Sequence, residues 1–107
     1  MAKFVVVLKD KQKGTLTQLL LEQHVAHLRR LKSLGKLPLC GPFADNDGAF
    51  LLIEGDSINE VSQIVQSDPF VKQKYYQTVE MHELIESNEA NNWLMDDSQT
   101  VGNLQEK

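Results

Sequence analysis

Five consecutive apolar residues, Phe4-Val5-Val6-Val7-Leu8, stand near the start of this 107-residue chain. An alternating strand would leave every second side chain in water. This run has no polar alternate, so it reads as a strand buried on both faces. Something must therefore cover each side of the sheet that holds it.

The next patterned stretch supplies one cover. From Thr15 to Leu34 the apolar residues return at helical spacing. At about 100° per residue, Leu16, Leu20, Leu31 and Leu34 fall on one stripe. His27 lies inside that stripe, and His24 lies at its edge one turn earlier. Thr15 or Thr17 is placed to cap the start, and Gly35 to end the helix.

Beyond it, Leu37 to Phe43 carries Pro38 and Pro42, which suits an irregular edge strand better than a central one. Asp45-Asn46-Asp47-Gly48 is a turn signal, and Ala49 to Glu54 is the second strand of the hairpin. The aspartates also faintly resemble a calcium loop, but its downstream acidic ligands are missing. Ser57 caps a second amphipathic helix running to Gln66, with Ile58, Val61, Ile64 and Val65 in phase. Asp68-Pro69 restarts the chain as a cap followed by a first-turn proline, with a short helical turn from Phe70 to about Lys74. From Tyr76 the residues alternate to Ile85 or Glu86 as a last strand.

The order is strand, helix, strand, strand, helix, strand. It predicts an α+β chain, a ferredoxin-like βαββαβ unit over residues 1–86. Its four-stranded antiparallel sheet has two helices on one face. The other face of Phe4–Leu8 would still need cover, and a second copy of the chain is the cheapest cover in so small a protein. A homodimer through sheet faces is the expectation.

Residues 87–107 break in composition. Asparagine, aspartate and serine dominate there, and Trp93-Leu94-Met95 is the one apolar cluster. The segment reads as a C-terminal extension that docks through Trp93 or is partly disordered beyond it.

Charge and cysteine content narrow the partners. The formal charge is −4, and the longest basic cluster, Lys9 to Lys13, is interrupted by Asp10. Nucleic acid is not an expected partner. An RNA-binding domain of the same element order would need exposed rings on its third strand, where only Phe50 is available. Cys40 is the single cysteine, which fits a reducing compartment and argues against a cysteine-based zinc cluster. It reads as a buried small residue rather than a nucleophile. A single lysine precedes Phe4–Leu8, the run itself is far too short for a secretory h-region, and no stretch approaches membrane-span length. A cytoplasmic protein that does not engage membranes is expected.

The candidate chemistry lies with the histidines. An imidazole on a buried stripe is either a satisfied core residue or a general base. As a base, His27 needs a carboxylate to fix its tautomer. Asp68, at the end of the neighbouring helix, is the best placed one. Its competing role is the cap, and the two are compatible if one carboxylate oxygen is free. His24 and His27 at i, i+3 could share a metal, but no third ligand is indicated, so neither metal nor cofactor is expected. Phe70, Tyr75 and Tyr76 can wall an apolar pocket, and Gly41-Pro42 would let a ligand approach the backbone.

These residues together resemble the YciI-like (YCII-related) family of the dimeric α+β barrel proteins, which also include muconolactone isomerase-like enzymes. The likeness covers roughly residues 3–85. It rests on His27-Leu28 with Leu31, on Gly35-Lys36-Leu37, Gly41-Pro42, Gly48, and Asp68-Pro69-Phe70. It implies a dimeric α+β barrel and a cleft holding a His27–Asp68 pair. On the reading of the residues above, His24, Gly41, Pro42, Phe70 and Tyr76 are expected against a small-molecule ligand. The implied activity is that of a lyase or isomerase, with elimination from a substituted aromatic diol as one precedent. The alternative is a ligand-binding or sensor module that performs no chemistry. The chain departs from the family pattern at His24, where arginine is common, at Lys74, where glycine is common, and at Glu83, where proline is common.

Overall fold

The computed structural model describes residues 1–104. Its elements are β1 (Ala2–Lys11), α1 (Gln18–Ser33), β2 (Leu39–Pro42), β3 (Ala49–Gly55), α2 (Ile58–Gln66), α3 (Pro69–Lys72) and β4 (Tyr76–Leu84). A 3-10 segment, Glu89–Leu94, and a last helix, α4 (Ser98–Leu104), follow. The four strands form one antiparallel sheet in the order β2-β3-β1-β4. This is the ferredoxin-like arrangement expected from the element order, and β2 is indeed an edge strand.

Strand β1 is central, pairing with β3 on one side and β4 on the other. It runs past Leu8, because Lys9 and Lys11 remain in register with Thr78 and Tyr76. The run Phe4–Leu8 is split between two environments. Phe4, Val6 and Leu8 are almost wholly buried under the helices with Ile53 and Val61. Val5 and Val7 point to the opposite face and are only partly covered. Within a single chain the strand is thus sealed on one side, where cover on both was expected. Its register partners Leu52 and Phe50 share that open face, and Leu39, opposite Leu52 on β2, is 60% exposed.

Each helix begins where its cap residue stands. Thr17 Oγ1 accepts from the Leu20 N–H at 3.1 Å, and Ser57 Oγ accepts from the Glu60 N–H at 3.1 Å. Gly35 follows α1 at φ +72°, the left-handed conformation that ends helices. Because the helix starts only after Thr17, Leu16 is left outside it, and Leu34 forms its C-cap. Both leucines are exposed. The buried and half-buried positions of α1 are therefore Leu20, His24, Val25, His27, Leu28 and Leu31. Between β2 and β3, Gly48 is buried so close to β1 that a Cβ there would stand 2.7 Å from the Leu8 carbonyl oxygen. Lys36, on the segment after α1, pairs with Glu60 of α2, and Glu60 also accepts from the Asp56 N–H at 2.9 Å. The ion pair ties the segment after α1 to α2.

The C-terminal extension carries the 3-10 segment and α4, with turns between them at residues 95–97. Its Trp93 and Met95 are 57% and 63% exposed. Against their own chain these two side chains stay mostly uncovered, while Leu94 between them is half-buried; the backbone is left-handed at Asn92, Trp93 and Leu94. Residues 105–107 of the expected tail lie outside the described residues. No helix among the described residues is long and apolar enough to cross a membrane.

Candidate active site

Asp68 sits where α2 hands over to α3. Its backbone N–H donates to the Val65 carbonyl at 3.0 Å, closing α2, and its side chain caps α3. It is 2% exposed, the one buried charged residue among those described. A buried carboxylate needs partners to offset its lost hydration. Oδ1 supplies two, accepting from the Phe70 N–H at 2.9 Å and from His24 Nδ1 at 2.8 Å. The cap and the histidine contact therefore share one oxygen, using its two lone pairs. The expectation that they would need separate oxygens is corrected.

The histidine is also not the one expected. The direct hydrogen bond anticipated between His27 and Asp68 is made by His24. Along the true span of α1, His24 falls at about 40° from Leu20, between Leu31 and Leu28. His27 falls on the far side of Leu20. Centring the stripe on Leu16 and Leu34, which the helix does not contain, had shifted the apparent centre toward His27.

Two contacts fix the His24 ring. Asp68 holds its Nδ1, and Phe70 stacks on its face with centroids 3.7 Å apart and planes 5° from parallel. The phenyl ring is held in turn by Tyr75 and Tyr76, at centroid distances of 4.8 and 5.9 Å. An ionised carboxylate only accepts, so Nδ1 donates to Asp68, and the tautomer that leaves the Nε2 lone pair free is the one this contact favours.

His24 opens onto a cavity of about 250 Å³ between α1 and the β2–β3 hairpin. Gly41, Pro42, Phe70 and Tyr76 line it with His24, so five residues singled out from sequence meet at one concave surface. Asp68 stands behind it. Burial pushes the Tyr76 phenol above its ordinary pKa, with Tyr75 and Asp68 adding to the rise, so the group is protonated at neutral pH. Sequence reasoning missed Leu21, Val25 and Leu28 of α1 as wall residues, and Cys40. Cys40 is exposed, not buried as expected, because the edge strand β2 leaves it at the cavity rim.

His27 lies outside this cavity. It faces a groove between α1 and α2 with Arg30, Glu60 and Gln63. Desolvation lowers its pKa and outweighs the opposing pull of the Asp68 carboxylate; the neighbouring His24 lowers it further.

The comparisons with known proteins fit this architecture. The model of the YCII-related domain matches residues 2–85. The chain belongs to the YCII-related family. One relative, the uncharacterized protein YjpA of Bacillus subtilis (strain 168), is 40% identical over 48 residues, 45% of this chain. The match spans 56% of that relative's length. Among solved structures, 5-chloro-2-hydroxyhydroquinone dehydrochlorinase (TftG) of Burkholderia phenoliruptrix AC1100, in complex with 2,5-dihydroxybenzoquinone, superposes with a TM-score of 0.62. It is 26% identical, and the match covers 84% of this chain and 99% of that one. This YCII-related protein thus shares the α+β fold of a small-molecule enzyme.

Proposed function

We propose that this YCII-related protein is a small-molecule lyase or isomerase in which His24 is the general base and Asp68 orients it. The observation that carries the reading is the 2.8 Å contact of His24 Nδ1 with Asp68 Oδ1 at the wall of an apolar cavity. The likeness to a dehydrochlorinase supports it, because that protein's name describes loss of hydrogen chloride from a chlorinated hydroquinone.

The chemistry follows from the tautomer. Nε2 takes a proton from the substrate, and the Nδ1–H remains donated to Asp68, so the imidazolium forms beside a carboxylate already in place. The electron pair left on the substrate then expels a leaving group or moves along the ring. Phe70 holds the imidazole plane while this happens. The cavity surrounds the exchange with apolar surface, where electrostatic effects exceed those in water.

The assembly belongs to the same proposal. Val5, Val7, Phe50, Leu52 and Leu39 form an apolar stripe on the uncovered sheet face, and a second copy packing sheet to sheet would bury it.

The test is turnover of hydroxylated and chlorinated monocyclic aromatics by the wild-type chain, His24→Asn and His27→Asn. Loss in the first variant alone supports the assignment. Saturable binding with no turnover of any member would leave a ligand-binding module.

A further inference from the structure

We infer that the cavity selects uncharged substrates, and that a ligand bearing a carboxylate on the same ring is excluded. This rests on the proposal that the cavity is the substrate site, and it follows from the charges around it.

Thirteen residues line the cavity, and none of them is lysine, arginine, aspartate or glutamate. Its polar side chains are His24, Cys40 and Tyr76. A carboxylate entering it loses hydration and meets no fixed cation, the costly case for a buried charge. His24 does not supply the missing charge. With a neutral imidazole, the His24–Asp68 pair carries one negative charge. With a protonated imidazole, the pair carries none, because the Asp68 carboxylate lies 2.8 Å away. An anionic ligand therefore meets a negative or neutral dyad in either state.

An uncharged acid meets the opposite situation. Before proton transfer the cavity and dyad together carry one negative charge, that of Asp68. After transfer they carry a substrate anion, an imidazolium and the same carboxylate, again one negative charge. The new anion forms next to the new cation, and no net charge is brought into the apolar site. A substrate that arrives as an anion makes the total two negative charges before and after the step.

Leu21 locates the absent cation. It lines the cavity from α1, one turn before His24, and is 38% exposed. An arginine there can lay its stem along the apolar wall and keep its head at the rim.

The experiment compares two diphenols that differ in one group, hydroquinone and 2,5-dihydroxybenzoate, binding to the full chain at pH 7 by calorimetry or ligand-observed NMR. Hydroquinone is expected to bind at least tenfold more tightly in the wild type. Leu21→Arg is expected to tighten 2,5-dihydroxybenzoate at least tenfold and so to narrow or reverse the wild-type preference between the two diphenols. Equal binding of the two by the wild type overturns the inference and leaves the small-ligand reading standing. So does a folded Leu21→Arg chain that gains nothing for the carboxylate. Failure of both diphenols to bind the wild type overturns the inference together with the reading beneath it. The wild-type comparison is decisive even if the variant does not fold.

Discussion

His24 and Asp68 are separated by 44 positions in the chain and by 2.8 Å in space. The contact joins the middle of α1 to the residue that closes α2 and opens α3. It places one imidazole under simultaneous control of a carboxylate and a stacked phenyl ring.

The pair should behave as one unit. Asp68→Asn keeps an acceptor for the Phe70 N–H, so stability should fall by no more than about 1 kcal/mol. Activity should fall by roughly 10²–10⁴, the usual worth of a positioned base. His24→Asn should lose about as much, and the double variant little more than either. His27→Asn should stay within a few-fold of wild type. Steady-state kinetics on any turned-over substrate decides this, and an inactive His27→Asn beside an active His24→Asn would reverse the assignment.

Phe70 should matter to geometry as well as to packing. Phe70→Leu retains an apolar side chain but removes the flat surface under His24. We expect a loss on the order of 1 kcal/mol for the aromatic contacts beyond area alone, seen in thermal denaturation. A fall in kcat should accompany it, while Asp68 still caps α3. Unchanged kcat would show that the carboxylate alone orients the ring.

The open sheet face should form the dimer. The wild-type chain should sediment at twice its 12.1 kDa mass at low micromolar concentration. Val5 and Leu52 are register partners across β1 and β3. Val5→Glu with Leu52→Glu sets like charges side by side on that face and should give a monomer. A wild-type monomer under these conditions would remove the dimer from the proposal.

Stability should respond to His27 as pH falls. Its folded pKa lies below the ordinary 6.5, chiefly through desolvation. Between those two values the unfolded chain binds more protons than the folded one, so stability rises with pH. The contribution is intact above about pH 6.5 and is lost as pH falls toward the folded pKa. Melting temperatures from pH 7.5 to 5 should therefore decline less steeply in His27→Gln than in wild type. An identical slope would show that His27 does not carry this dependence.

Much of the fold was legible in the sequence because it is written in local terms. The valine run, the capping residues Thr17, Ser57 and Asp68, the Asp-Asn-Asp-Gly turn and Gly35 each act within a few residues, and together they specify element type and order. Order, chain length and crossover handedness leave few topologies for the sheet. The residues that gather at the cavity, Phe70, Tyr76, Gly41, Pro42 and His24, with Asp68 bonded to His24, could also be singled out as candidates, since a capping aspartate beside aromatic residues and a Gly-Pro strand end are local signals. Which histidine meets Asp68 was decided by tertiary structure. His24 and His27 differ by one turn and about 60° around the helix, and their order on the inward face depends on where the helix begins. That start is set by Thr17, which excludes Leu16, and only the packing of α1 over the sheet fixes the direction in which each ring then points. The exposure of Cys40 and Trp93 was decided in the same way, because burial depends on what lies opposite a residue in space, and the chain does not encode that at short range.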